Sequence, residues 1–201
     1  MTEESLESTI ENTEEYGEDI VVFDSLDTIQ GYEDAPPGEN KDFYLEKVAE
    51  EHGMTKEEML ENVETDTYLQ WTYELLQEGK LTPRTIPKAK EVLEDYIAQG
   101  IRPVVITADI QGSADITVNP YVELGLIDPN DVYAIQHLGS KKESDTWIKA
   151  KNIYEPNTNI VAVYEDTKAN LEAALKAYKG ANGFLVKENE SGLSIVETYK
   201  N

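Results

Sequence analysis

Short, unbroken apolar runs set far apart along the chain constrain its fold more than any other feature. They are Ile20-Val21-Val22-Phe23, Val104-Val105-Ile106, Ile160-Val161-Ala162-Val163-Tyr164 and Gly183-Phe184-Leu185-Val186. Each is too short for a buried helix, and most are rich in β-branched side chains. A strand that is apolar at every position is covered on both faces, as in a parallel sheet between helices. Val132-Tyr133-Ala134-Ile135 reads as a weaker strand. Helical patterns ending at Gly100 and running from Leu171 to Tyr178 fall between the runs. The alternation predicts an α/β fold with a parallel sheet. Residues 183–201 read as two strands around the turn Asn189-Glu190-Ser191-Gly192, a terminal hairpin.

The long interval between the first two runs has another character. Gly31 to Asn40 is a loop carrying Pro36-Pro37-Gly38. Lys41 to His52 has helical spacing and stops at Gly53. Thr55-Lys56-Glu57-Glu58 is a capping box that starts a second helix, and a third spans about Asp66 to Glu78. Ile86-Pro87 then opens a helix with Pro at its first position. The expected division is an acidic lead-in over 1–18, a core built from 19–31 and 84–201, and an all-helical insert over 32–83.

Composition removes several function classes. The absence of Cys excludes a thiolate nucleophile, a disulfide scaffold and Cys-based metal sites. With 41 Asp and Glu against 17 Lys and Arg, the net charge is -24. Nucleic acid is therefore not expected as a partner, because phosphate neutralisation needs a basic stripe. No stretch approaches the ~18 apolar residues of a membrane span. Met1 to Asp19 has neither the positive nor the apolar region of a secretory signal, so a cytoplasmic setting is expected.

Ligands of open parallel sheets bind beyond the carboxyl ends of the strands. The residues there are Asp24-Ser25-Leu26-Asp27-Thr28, Thr107-Ala108-Asp109, Gly139-Ser140-Lys141-Lys142 and Glu165-Asp166, with Asn170 four further on. Carboxylates from two strand ends, a hydroxyl from a third and a Lys from a fourth suit phosphoryl transfer. Each residue also has a plainer reading. Asp24 is a common turn type, Asp166 suits a helix N-cap, and Lys141 and Lys142 differ only by spacing. His52 reads as surface, His137 as structural or solvent-facing, and Trp71 and Tyr73 as packing within the insert. Asp109 and Gln111, in the loop after Thr107, are candidates for substrate contact.

Taken in order, these segments resemble the haloacid dehalogenase-like hydrolase superfamily over about residues 19–187. That family opens on an apolar strand and Asp-x-Asp-Gly-Thr, which Val22-Phe23-Asp24-Ser25-Leu26-Asp27-Thr28 matches without a gap. Its second motif is a strand ending in Thr or Ser, as in Val105-Ile106-Thr107. Its third is a Lys with an aromatic residue six positions on, as in Lys141 and Trp147. Its fourth is a strand ending in acids, as in Val163-Tyr164-Glu165-Asp166. The helical insert stands where the family carries its small cap. A weaker likeness, in Leu69-Gln70-Trp71 and the segment after Lys141, is to the enolase-phosphatases (acireductone synthases).

The resemblance implies a Rossmann-like core with a helical cap, and a Mg²⁺-dependent phosphatase acting on a small phosphorylated metabolite. In that scheme Asp24 is the nucleophile that becomes an aspartyl-phosphate. Asp24, Asp166 and the backbone carbonyl of Leu26 hold the metal. Thr107, Ala108 and Lys141 bind the phosphoryl oxygens, and Glu165 and Asn170 order Lys141 or metal-bound water. One position departs from the pattern. The family's phosphatases place an acid/base two residues after the nucleophile, and here that residue is Leu26, followed by Asp27 where the family has Gly. Three expectations stay open: Asp27 takes over as acid/base; the protein binds or regulates with little turnover; or it cleaves C–P or C–halogen bonds. C–P cleavage in the family uses a cap Lys, and Lys41, Lys47 and Lys56 are available.

Overall fold

The structure, a computed structural model, describes residues 18–200. The acidic lead-in expected over 1–18 therefore lies outside the described residues, apart from Glu18.

Six strands form the main sheet. They are β1 (Asp19–Phe23), β4 (Arg102–Thr107), β5 (Val132–Ala134), β6 (Asn159–Glu165), β7 (Asn182–Asn189) and β8 (Gly192–Tyr199). Their order is β5-β4-β1-β6-β7-β8, parallel throughout except for β8, which pairs antiparallel with β7. The expected α/β sheet and terminal hairpin are both present.

Alternation along β1 divides the interior in two. Val21 and Phe23 face a core with Leu93 of α4 (Ala89–Ala98) and with Val118 and Tyr121 of α5 (Gln111–Glu123). Ile20 and Val22 face the opposite core, with Trp147 of α6 (Ser144–Tyr154) and Leu171 of α7 (Lys168–Ala177). All four β1 residues are fully buried. The unbroken apolar run thus follows from a strand sandwiched between two helical layers.

The insert contains α1 (Asn40–Glu51), α2 (Lys56–Asn62) and α3 (Thr65–Gln77), entered and left by a two-stranded ribbon of β2 (Gln30–Tyr32) and β3 (Pro83–Thr85). The capping box is formed as read. Glu58 N–H donates to Thr55 Oγ1 at 3.1 Å, and Thr55 N–H donates to Glu58 Oε2 at 2.8 Å. Tyr32, Leu45, Val48, Met59, Leu75 and Leu81 belong to a separate apolar core for this cap.

One sequence expectation is corrected. The helix after the cap starts at Ala89, not at Ile86-Pro87. Lys88 takes a left-handed conformation (φ 68°), and the Pro87 carbonyl accepts from Leu193 N–H at 2.8 Å, so the Ile86–Lys88 segment is a turn held by the terminal hairpin. The β2–β3 ribbon and the helices α5 and α6 have no counterpart in the sequence reading.

Candidate active site

The loop after β1 builds the floor of the site. Asp24 N–H donates to the Tyr164 carbonyl at 2.9 Å, which carries the β1–β6 ladder to the last residue before the turn. The Ser25 carbonyl then accepts from Thr28, Ile29 and Gln30 N–H. Closing so tight a loop puts Asp27 at φ 59°, a left-handed conformation that Asp tolerates better than most side chains.

The ends of β1, β4 and β6 bring Asp24, Thr107 and Asp166, the loop before α6 brings Lys141, and the first turn of α7 brings Asn170, to one cavity of about 130 Å³. The cap contributes Tyr32, Lys41, Tyr44, Leu69 and Thr72 to its walls. Ala108 also lines it, and Leu26 turns its partly buried side chain into the apolar core of the cap. The cap thus uses the position after Ser25 for packing.

Lys141 is buried, whereas Lys142 is exposed. Its ammonium lies 2.8 Å from Asp24 Oδ1 and is ion-paired with Glu165. Burial works against the charge on Lys141, but the two carboxylates outweigh it and hold the ammonium above its ordinary value. The spacing to Trp147 has a geometric basis. The indole N–H donates to the Lys141 carbonyl at 2.7 Å, and the ring centroid lies 5.0 Å from Nζ.

Glu165 is fully buried and is not among the residues that line the cavity. Besides Lys141 it accepts from Thr167 N–H at 3.1 Å and from Asn170 Nδ2 at 3.2 Å. Burial, together with the nearby Asp24, raises its pKa even against Lys141. Asp166 is not an N-cap: that position of α7 is Thr167. Burial and then Asp24 push Asp166 up to about 6.

The donor set can be tested against a hard divalent cation. Carboxylate oxygens of Asp24, Glu165 and Asp166 come within 4.8 Å of one another. Glu165 is occupied by Lys141, Thr167 and Asn170, which leaves Asp24 and Asp166 with oxygens toward the cavity. Oxygen-only donors with such an excess of negative charge fit Mg²⁺.

Asp27 lies in the cavity wall with its oxygens already engaged. Asn40 Nδ2 donates to Oδ1 at 2.6 Å, and Lys41 N–H donates to Oδ2 at 3.3 Å. Burial nevertheless raises its pKa. Asn40 also donates to Glu188 of β7 at 2.8 Å, and Glu188 pairs with Arg84 of β3 at 2.6 Å.

The loop after Thr107 places Asp109 in the cavity wall, half-buried, with Oδ1 accepting from Ile110 N–H at 2.8 Å. Burial raises its pKa to about 6; the Ile110 amide and the Ser113 hydroxyl oppose the rise, and Asp24 adds to it. Gln111 serves structure. Its side chain donates to the Val132 carbonyl at 2.9 Å and accepts from Ala134 N–H at 3.1 Å, extending the free edge of β5. His137 lies within 3.5 Å of the Tyr154 hydroxyl in a neighbouring cleft that Asp109 also lines, and His52 stacks on Trp71 at 3.7 Å. Sequence reasoning missed Tyr32, Tyr44 and Thr72, whose place in the wall depends on how the cap closes over the sheet.

No protein-family model matches the sequence, and no curated protein matches it. Solved structures do. A haloacid dehalogenase-type (HAD) hydrolase of family IA, variant 3, from Entamoeba histolytica is 16% identical with a TM-score of 0.57, over 83% of each chain. A phosphonoacetaldehyde hydrolase-like protein from Oleispira antarctica is 15% identical with a TM-score of 0.56, over 92% of this chain and 76% of that one. CbbY from Rhodobacter sphaeroides, solved in complex with phosphate, is 15% identical with a TM-score of 0.54, over 85% of this chain and 86% of that one. At these identities the likeness carries the fold and leaves the chemistry to the residues themselves. Among the described residues, no helix is long and apolar enough to cross a membrane.

Proposed function

We propose, from the premise that this chain has the haloacid dehalogenase-like fold, that it is a Mg²⁺-dependent hydrolase of small phosphate monoesters. The observation that carries the reading is the meeting at one cavity of Asp24, Thr107 and Asp166, from the ends of β1, β4 and β6, with Lys141 from the loop before α6. Asp24 and Asp166, with the Leu26 backbone carbonyl, would hold the metal. A divalent cation bound there supplies positive charge opposite the phosphoryl oxygens.

The chain's own groups position and attack the phosphoryl group. Lys141 and the Thr107 hydroxyl orient the phosphoryl group for in-line attack by Asp24. Attack forms an Asp24–phosphorus bond and breaks the bond to the leaving oxygen; water then releases phosphate and restores the carboxylate. Glu165 keeps Lys141 charged and pointed at Asp24 without entering the chemistry. The small cavity and its polar walls suit a small phosphorylated metabolite.

The test is phosphate release from a panel of phosphate esters with Mg²⁺, comparing wild type with Asp24→Asn. The expected outcome is loss of activity to background in the variant, and equal activity in the two proteins refutes the nucleophile assignment.

A second reading, cleavage of a C–P bond, is favoured by one observation. Lys41 lines the cavity beside the non-acidic Leu26, whereas Lys56 is paired with Asp42 and Glu46. Phosphate release from phosphonoacetaldehyde that is lost in Lys41→Ala, with no release from esters, selects it.

A further inference from the structure

The ester reading lacks a group to protonate the leaving oxygen and later to activate water. Leu26 cannot transfer a proton, and both oxygens of Asp27 are held by Asn40 and the Lys41 amide. Asp109 differs from both. It lines the inner cavity together with Asp24, Thr107 and Lys141, and it also lines an adjoining outer cleft of about 650 Å³ bounded by Asp66, Gln111, Gln136, His137 and Tyr154. The inner cavity is the smaller by several-fold. A phosphoryl group held against Asp24 would send its ester substituent toward the outer cleft, past Asp109. One oxygen of Asp109 is fixed by its neighbour's amide, which anchors the carboxyl at the boundary between the two spaces.

We infer that Asp109 is the acid/base of this site, standing in from the loop after β4 for the residue that Leu26 displaces; the inference rests on the ester-hydrolysis reading. In the first step Asp24 attacks phosphorus, the bond from phosphorus to the leaving oxygen breaks, and the Asp109 carboxyl gives its proton to that oxygen. In the second step the Asp109 carboxylate takes a proton from water as the water oxygen attacks phosphorus, and the Asp24 carboxylate departs. The proton that leaves with the alcohol is replaced by one from water, so the cycle closes with water as the only co-reactant.

A group used in both directions works best with its pKa near the operating pH, and burial holds Asp109 at about 6. The titratable groups that line the two spaces with it are Asp24, Asp27, Lys141 and Asp166 from the core, Tyr32, Lys41 and Tyr44 from the ribbon and cap, and Asp66, His137 and Tyr154 in the outer cleft. The tyrosines are held neutral by burial, which raises both.

The experiment measures kcat/KM for glycerol 2-phosphate and for p-nitrophenyl phosphate with Mg²⁺, across pH 4.5–8.5, in wild type, Asp109→Asn and Asp24→Asn. Asparagine keeps an acceptor for the Ile110 amide, so the loop is retained. Asp109→Asn is expected to lose about 10²–10⁴-fold on the alkyl ester and far less on p-nitrophenyl phosphate, whose leaving group needs no proton. A limb near pH 6 in the wild-type profile should vanish, and rapid quench should show phosphoenzyme accumulating because its breakdown lacks a base. Equal losses on the two esters, or wild-type rates in Asp109→Asn, overturn the role of Asp109. Wild-type rates in Asp24→Asn overturn the underlying reading instead.

Discussion

Asp109 carries a cost as a residue whether or not it takes part in a reaction. Its pKa is about 6 in the fold against an ordinary value of 3.8. A carboxyl raised on folding binds more protons in the native than in the unfolded state. Its contribution is therefore fully present below about 3.8 and is lost as pH rises through about 6. Above that window the native state carries an ionised carboxylate in a partly desolvated wall near Asp24. Asp109→Asn removes this penalty and keeps the bond from Ile110. The variant should match wild type at pH 4 and be more stable at pH 7.5, by about 1–3 kcal/mol given ~1.4 kcal/mol per pKa unit. Urea titrations at the two pH values, without divalent cation, read the difference; a variant no more stable at pH 7.5 than at pH 4, relative to wild type, contradicts it. A gain in stability beside a loss in turnover is the trade that strained functional groups commonly show.

At the scale of elements, one network joins parts distant in sequence. Glu188, nearly buried on β7, accepts from Arg84 at the cap exit, from Asn40 at the start of α1 and from Gly38 N–H in the cap entry. Asn40 passes the connection to Asp27 in the loop after β1. Both cap linkers are thus tied to the sheet through a single carboxylate. Glu188→Ala removes the carboxylate partner of the part-buried Arg84 guanidinium and one of the two acceptors of the buried Asn40 amide, and should cost about 2–4 kcal/mol. Hydrogen exchange should quicken first at residues 30–32, 38–41 and 83–85, ahead of the central strands. A loss below about 0.5 kcal/mol, the range of ordinary surface changes, or uniform exchange across the sheet, speaks against the network as the tie. None of this was legible beforehand, because Arg84 and Glu188 are 104 positions apart and read singly as surface charges. The central strands were legible because burial on both faces leaves an unbroken apolar signature. The ribbon was not, since three residues per strand give no periodicity. Helix α5 was hidden by Gly112 and Pro120, and by contacts on several sides that dilute its apolar stripe. Gly112 is there because the ring of Tyr73 lies 2.8 Å from where a Cβ would sit. The strand-end residues of the site were readable from order and position, whereas the place of Asp109 depends on how its loop and the cap close around the cavity.

For the whole molecule, the charge of -24 sets a constraint that no single residue reveals. A strongly acidic protein that takes an anionic phosphate ester does so against its own long-range field, which lowers the encounter rate. Few cations at the cavity oppose that field: Lys141 is already paired with two carboxylates, and Lys41 stands at the wall. Salt separates the two ranges of electrostatics. The repulsion acts over distances that ~0.1 M salt screens, since the Debye length there is ≈ 10 Å, while contacts inside the cavity are screened far less. With Mg²⁺ held saturating, kcat/KM for a phosphate monoester should therefore rise as NaCl goes from 10 to 200 mM, by about two- to tenfold within the usual range of steering effects. kcat should stay nearly constant, because the bound state no longer feels the distant charges. The thermal midpoint should climb over the same range as self-repulsion among surface carboxylates is relieved. A fall in kcat/KM with salt would instead mean that local positive charge at the cavity mouth governs the approach, which would point to Lys41 as an attractor strong enough to reverse the field of the whole molecule.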